Sequence, residues 1–450
     1  MALSFNTPLS GLMAAQKALQ VAQMNVSNLN TEGYVRQRVE LAENSSAGGE
    51  GISQKIGSGV MTENITRITD MIMQNNYNNQ SSKVSYFEEM ESTLSELETV
   101  MGEDSIGKLS NMMQDYFNSW EELSKFPEES SYRFALVGEA GKLTQKINEM
   151  GKELGRVEQD VIDDTKVQIE EMNTILSGLA EVNKKINENG EYVSNALLNE
   201  RDRLVNQLST YTKVEVSFES SNPEAISIRS GGVYLLDNEK TYDIRLMKSD
   251  DDYYLSNGAT RIDVTQGKLK ANLDLVDNYI GKYTNQLNTF TSQLISQVNS
   301  IHNAGYSITG ETGMDFFIGT NSKDIQINPD LKQDPSKIAT TTVAGVEGNT
   351  DIAKNIANVM NQSVDLNMDF RNYVNSFSMG MAQDLNNISS QVIIQNEVLV
   401  GIGERKASLE GVNLEEEMTN LMMYQKMFTA NAKAIKAFDE TLDAILNMTN

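Results

Sequence analysis

The chain has 450 residues, no cysteine, a single histidine (His302) and a net charge of −26. That length allows two to four domains with ample core-forming surface. The missing thiols exclude disulfides and thiolate metal sites, one histidine leaves little scope for zinc or a histidine-based triad, and the acidic balance argues against nucleic acid, whose binding rests on cations that displace counterions from phosphates.

The charge is unevenly spread. Residues 1–43 hold three cations against three acids, and residues 411–450 hold three lysines against six acids, so nearly all of the excess sits on the middle of the chain. Near-neutral ends can pack against copies of themselves with little Coulomb cost, while an acidic body stays in water. An ordinary solvated helical surface accounts for the same charge equally well. No segment approaches the roughly 20 apolar residues needed to span a bilayer. The first cation is Lys17, and Asn6, Ser10 and Gln16 interrupt the early apolar residues, so no cleaved secretory signal is expected and these rules alone place the chain in the cytoplasm.

Thr7-Pro8 predicts a helix start, with Thr7 as N-cap and Pro8 at the first helical position. Along the helix that follows, Leu12, Ala15, Leu19, Ala22, Val26 and Leu29 recur at steps of three and four, the spacing of a coiled-coil seam. After Gly33, residues 34 to 41 alternate as a short strand would. Residues 44 to 59 are rich in Gly and Ser and read as a loop. A phosphate cradle is rejected there, because no Gly-Lys-Ser/Thr ending follows.

Helical periodicity then runs through Val84–Met101, through Leu109–Leu123 up to Pro127, through 134–154 and 157–186 as a pair, and through Ala196–Tyr211. Such up-and-down elements suit an elongated bundle. From Val214 the pattern changes to alternation: residues 214–218, 226–228, 233–236 and 242–246 read as strands, with Gly231-Gly232 as a turn. Asp250 to Asp252 lack the spacing, glycine and glutamate of a calcium loop and read as an acidic turn tip. A long helix from Leu275 ends at His302, which is expected to be structural, capping the helix and favouring its dipole. Residues 306 to 349 read as irregular or β-like, and helices resume at 352–360 and 365–401.

The last forty residues repeat the opening design. Asn413 can N-cap, Glu415 to Glu417 suit the first turn, and Leu414, Met418, Leu421, Tyr424, Phe428, Ile435, Leu442 and Ile445 mark the apolar side of a helix roughly 52 Å long. These residues and the N-terminal seam form the expected assembly interface, each helical end supplying the other's partner.

Ser10 to Gln16 and Asn25 to Gln37, with Asn25, Asn28, Gly33, Tyr34, Arg36 and Gln37, strongly resemble the N-terminal signature of the bacterial flagellar axial family, shared by rod, hook and hook-associated members. Gly411, Val412 and Asn413 with Leu414 to Glu417, then Tyr424-Gln425 and Ala430 to Ala432, look like the C-terminal signature of the members at the first hook–filament junction. Residues 197–205 and 299–305 agree. Gln425-Lys426, Phe428 and Glu32 depart from the family pattern and bear on packing detail.

The resemblance implies a mainly α chain with a β-rich insert: an elongated multi-domain rod with its terminal helices paired as a coiled coil, a helical bundle and an outer β domain. The expected divisions are 1–43 with 411–450 (terminal coiled coil), 44–213 with 275–304 and 350–410 (bundle), and 214–274 with 305–349 (β-rich). A shorter stretch between Tyr306 and Asn349 than in many members suggests that an outermost insert is absent. The implied role is structural, a self-assembling junction from hook to filament. It carries no cofactor or metal, and binds neither nucleic acid nor membrane. Implied partners are other copies in a ring, the hook protein, a second junction protein and an export chaperone on the C-terminal helix. Export by the flagellar type III route would place the chain outside the cell. The alternatives are a rod or hook subunit, a plain antiparallel coiled coil locking one discontinuous domain, and a carboxylate-based hydrolase. The last is disfavoured because the acids lie on solvated helix faces. Ends whose seam contains Ala15 and Ala22 bury little surface against the backbone entropy of ordering, so they are expected to be mobile in the free monomer.

Overall fold

The computed structural model describes residues 5–31, 33–43, 59–190, 193–219, 222–250, 252–258, 260–344, 349–365 and 368–448, apart from the side chains of Ile445 and Met448. Helix α1 (Asn6–Ser27) leads through a turn into the antiparallel hairpin β1 (Gln37–Glu43) and β2 (Val60–Arg67). Then come α2 (Met71–Met101), α3 (Glu103–Lys125), α4 (Ser130–Asn189) and α5 (Asn195–Tyr211). Asp70 starts α2 by accepting from the Ile72 and Met73 amides, and Ser194 does the same for α5 through Leu197, as side-chain oxygens do at helix N-termini.

The periodicity predicts a helical pair at 134–154 and 157–186, but α4 is one helix of 60 residues, roughly 90 Å long at 1.5 Å per residue. No proline interrupts it, and a glycine inside a helix costs only about 1 kcal/mol. Gly151 has a packing role instead: a Cβ there would lie 2.5 Å from Ser322 Oγ. Helix α4 runs antiparallel to α2 and α3, since Arg156 pairs with Glu96 (2.8 Å), Lys146 reaches Ser105 (3.0 Å) and Gln168 reaches Glu89 (2.8 Å).

The β-rich insert follows α5. It comprises a four-stranded antiparallel sheet, β3 (Glu215–Phe218), β4 (Ile226–Ser230), β5 (Val233–Asp237) and β6 (Lys240–Thr241), and a three-stranded one, β7 (Arg245–Ser249), β8 (Asp252–Ser256) and β9 (Arg261–Ile262). Between β4 and β5, Gly231 and Gly232 have φ of 54° and 77°, the left-handed geometry that a two-residue hairpin turn requires. Helix α6 (Lys268–Asp274) passes through a π-helical turn (Leu275–Ile280) into α7 (Gly281–Asn303). Short elements follow: β10 (Phe317–Ile318), β11 (Gln326–Ile327), α8 (Pro329–Gln333), α9 (Asp351–Ala357), β12 (Ser363–Asp365) and β13 (Met368–Asp369). Two long helices, α10 (Phe370–Glu410) and α11 (Leu414–Met448), close the chain. No helix among the described residues is long and apolar enough to cross a membrane.

Two hydrophobic cores lie side by side along α4. The larger joins α2, α3, the first half of α4, α7 and the first half of α10, around Tyr116, Trp120, Phe290 and Phe370. The smaller joins the second half of α4 to α5 and the inner faces of the sheets, through Leu176, Leu179, Leu208, Ile226, Ile228 and Leu255. One expected grouping differs from the packing of the apolar residues. Residues 305–349 were expected with the β-rich part, yet Phe316, Phe317, Ile325, Ile327, Leu331 and Ile338 are buried in the larger core. Conversely α5 seals the core beneath the sheets rather than the bundle core. The strand-like signal of 306–349 was local, and apolar side chains pack wherever an uncovered face is within reach.

His302 is also corrected. It is fully buried and its ring nitrogens contact the Met314 carbonyl and the Ala339 amide, so it is not a charged cap on a helix dipole. Burial pulls its pKa down to about 4, which keeps it neutral at ordinary pH. Thr7 falls inside the first turn of α1 instead of capping it. The glycine-rich stretch read as a loop lies outside the described residues except for Gly59, as do Asp251 and Glu32.

Candidate assembly site

Helix α11 lies antiparallel to α1. A Cβ on Gly11 would come within 2.8 Å of Asn431 Oδ1, while Arg36, just past the other end of α1, reaches Glu416 and Glu417 in the first turn of α11. The expected pairing of the two chain ends is therefore present, closed on its second side by the β1–β2 hairpin, where the Val60 amide donates to Ser10 Oγ at 3.1 Å.

The seam differs from the expected one. On α1 the buried face is Gly11, Ala14, Ala15, Ala18, Val21, Ala22 and Asn25. Ala15 and Ala22 are buried as expected, Leu12, Leu19 and Val26 are half-buried at its rim, and Leu29 is exposed. Contact on both sides explains the shift: α11 and the hairpin can each close on α1 only where its side chains are small, which turns the larger leucines outward. On α11, Leu421, Tyr424, Phe428 and Ile435 are half-buried, whereas Leu414, Met418 and Leu442 are exposed. The Ile445 side chain lies outside the described residues. With Gly11 opposite Asn431, α11 runs on beyond the start of α1, so residues 439–444 have nothing from α1 to cover them.

The signature residues form a hydrogen-bonded clamp at the opposite end of the pair. Asn25 is 1% exposed; its Nδ2 donates to the Gln37 carbonyl (2.9 Å), and its Oδ1 accepts from the Gln37 amide (3.1 Å) and the Tyr34 hydroxyl (2.8 Å). Asn28 ends α1, donating to the Met24 carbonyl at 2.9 Å and accepting from Thr31. Gly33, at φ 76°, makes the backward turn that an L side chain resists. Arg36 donates from Nε to Glu417 at 2.8 Å and from Nη1 to Glu416 at 3.0 Å, while its amide donates to the Glu410 carbonyl at 3.0 Å. The Gln37 side chain accepts from Asn195 of α5, and Glu410 accepts from the Asp70 amide at 2.8 Å. One node thus ties together α1, the hairpin, α5, α10, α11 and the entry to α2.

The two residues that end α10 and start α11 have equally local reasons. A Cβ on Gly411 would lie 2.3 Å from the Ala407 carbonyl, and Asn413 caps α11 by accepting from the Glu415 and Glu416 amides at 3.0 and 3.3 Å. Val412, half-buried between them, completes the link. Hydrogen bonds from Arg36 hold the Glu416 carboxyl below the usual carboxylate range, and those same bonds raise Arg36. Burial, reinforced by Glu417, raises the Tyr34 hydroxyl.

Beside the clamp lies a cleft of about 1060 Å³ between β2, the start of α2, α5 and β3. Its charged groups neutralise one another: Arg67 pairs with Asp202, and Arg201 with Asp202 and Glu224. Among the described residues no group of His, Asp and Glu is placed to hold a metal ion.

Sequence reasoning missed one surface. Ile393, Ile394, Val398, Val400 and Leu409 are exposed on α10, which pairs with α2 there, as Gln80 to Gln395 at 2.9 Å and Lys406 over the Tyr77 ring at 5.6 Å record. The signal was present as apolar residues on more than one face of the helix from 392 to 402, more than a two-helix contact can cover.

The molecule is a long α-helical rod with a lateral β insert, closed by pairing its own chain ends through a clamp built from the signature residues. The family described as flagellar hook-associated protein FlgK helical domain matches residues 94–317, and that described as flagellar basal body rod FlgEFG protein C-terminal matches 408–448. Flagellar hook-associated protein 1 of Bacillus subtilis is 24% identical over 498 residues, covering 99% of this chain and 98% of the relative. The proteins of that name from Escherichia coli and Salmonella typhimurium are 23% and 24% identical, over 98% of this chain and 99% of each relative. The solved flagellar hook junction protein FlgK from Burkholderia pseudomallei aligns with a TM-score of 0.50 at 21% identity, over 54% of this chain and 46% of that one, a likeness of fold. The chain is thus similar over nearly its whole length to proteins named flagellar hook-associated protein 1.

Proposed function

We propose that copies of this chain assemble into a ring through the apolar surface that the α1–α11 pair leaves uncovered, each pair serving as a tile of a continuous inner tube. The similarity to flagellar hook-associated protein 1 supports a structural role in the bacterial flagellum, at the junction of hook and filament. The observation that carries the assembly reading is the position of the apolar residues. Leu9, Met13 and Met24 on α1 and Leu414, Met418, Met422, Met423, Leu442 and Leu446 on α11 are exposed. Helix α10 carries further exposed apolar residues, Ile393, Ile394, Val398, Val400 and Leu409.

The division of labour follows the packing. The terminal pair with its hairpin forms the assembling unit, the larger core the rod, and the smaller core with β3–β9 the outward unit; residues 316–339 go with the rod. The hook protein and a second junction protein are the neighbours on either side, and the chain reaches them outside the cell by the flagellar type III route. The overhanging end of α11 is an amphipathic helix for an export chaperone to grip before assembly. Catalysis has no part in this reading. A rod or hook subunit is disfavoured because the FlgK helical-domain match covers 94–317, whereas the rod-type match is confined to 408–448.

The test is incorporation. Leu421→Asp with Phe428→Asp, or Leu19→Asp with Val26→Asp, should leave the body folded by circular dichroism yet abolish assembly onto hooks. Cells carrying either variant with filaments of normal length would refute the reading.

A further inference from the structure

At the end of the rod remote from the chain termini, His302 closes α7 with its ring 6.2 Å from Trp120 and 5.6 Å from Phe316, both edge-on. Nδ1 donates to the Met314 carbonyl, and Nε2 accepts from the Ala339 amide at 2.9 Å. That pattern requires the neutral ring with its proton on Nδ1. Both backbone partners belong to one cover, residues 305–341, drawn closed where the Tyr306 amide donates to the Thr341 carbonyl at 2.7 Å. Arg133 holds the same cover by donating to the Ile338 carbonyl at 2.8 Å and to Pro335, and it stays charged throughout the ordinary pH range.

We propose that His302 is an acid-sensitive clasp: protonation at Nε2 loosens the cover around Ala339 while the helices of the rod stay folded. A proton on Nε2 sets two donors, the ring N–H and the Ala339 N–H, against each other at hydrogen-bond distance. Of the charged groups that act on the ring, Arg133 on α4 opposes the cation and Asp315 in the cover favours it; Asp315 is engaged by Asn303 of α7, while Trp120 from α3 and Phe316 bring no charge.

Burial holds the closed ring down to about 4, whereas a solvated imidazole takes its proton near 6.5. Across that interval the open cover binds the proton and the closed one does not, so opening gains about tenfold per pH unit, roughly 300-fold in all.

The test is amide hydrogen exchange of the full chain from pH 7 to 4, corrected for intrinsic rates, in the wild type and in His302→Gln. Gln supplies an acceptor near the position of Nε2 that cannot titrate. Protection of the Ile338–Thr340 amides should fall about tenfold per pH unit below 6.5 in the wild type and stay level in the variant, with α4 protected in both. Parallel decline in the two proteins, or constant protection in the wild type, overturns the proposal. Should the variant not fold, the ring resonance of the only histidine in the wild type decides: a neutral ring well below pH 6.5 supports the clasp, and ordinary titration near 6.5 in the folded chain overturns it.

Discussion

Asn25 carries three of the hydrogen bonds that hold the turn after α1 against the helix. Asn25→Ala leaves the Gln37 amide and carbonyl without these partners in a dry site, which costs about 2–3 kcal/mol; urea unfolding should record that loss. Arg36→Ala acts through Glu417, which is 2% exposed. Removing the cation leaves a buried carboxylate uncompensated, for a loss of roughly 3 kcal/mol. Replacing both partners by leucine should restore much of it in a double-mutant cycle. The Glu416 arm of the same pair is half exposed and weaker, below about 1 kcal/mol. Its folded carboxyl lies below the ordinary value, so its contribution is present above the usual glutamate range and fades as pH falls through the lowered value. The motif residues were recognisable from their order in the chain, but this division of work was not: Arg36 and Glu417 stand 381 residues apart.

At the scale of elements, α1 binds by its smallness. Ala18 is buried within a face that includes Gly11, Ala14 and Ala22, so Ala18→Leu overpacks the contact and should destabilise the terminal pair by about 1–3 kcal/mol. Leu19→Ala, at the half-buried rim, should cost less. Limited proteolysis of α1 and α11 should rank the two variants in that order; the reverse order would mean that the leucine seam is the packed one. Periodicity predicted both helices and their pairing, because spacing at three and four is local to each helix. It favoured the leucine stripe because larger side chains dominate any apolar pattern, whereas the faces that bury are set by how near a neighbour must come. The same limit applies to α4, where two expected helices are one.

For the whole molecule, apolar residues remain exposed on both α10 and α11, and assembly is expected to cover them. Ile393→Ser with Ile394→Ser and Val398→Ser should leave monomer stability within about 0.5 kcal/mol, the range for surface sites, while lowering the yield of junctions in a reconstitution with purified hooks. Unchanged yield would confine the interface to the terminal pair. In the free monomer the ends should be protease-sensitive, and ends fully resistant without partners would count against coupling of their folding to assembly.

The sequence by itself determined the helical ends, the β-rich insert, the near-neutral termini on an acidic body and the axial signature, because periodicity, charge and motif are written within a few residues of one another. Only the tertiary structure decided which residues of α1 are buried, that apolar residues between 316 and 338 pack into the larger core, that His302 is buried beneath them, and that Asn25, Arg36 and Gln37 form one clamp with α5, α10 and α11. Each of those depends on which groups meet across hundreds of residues, and on how closely, which no local pattern encodes.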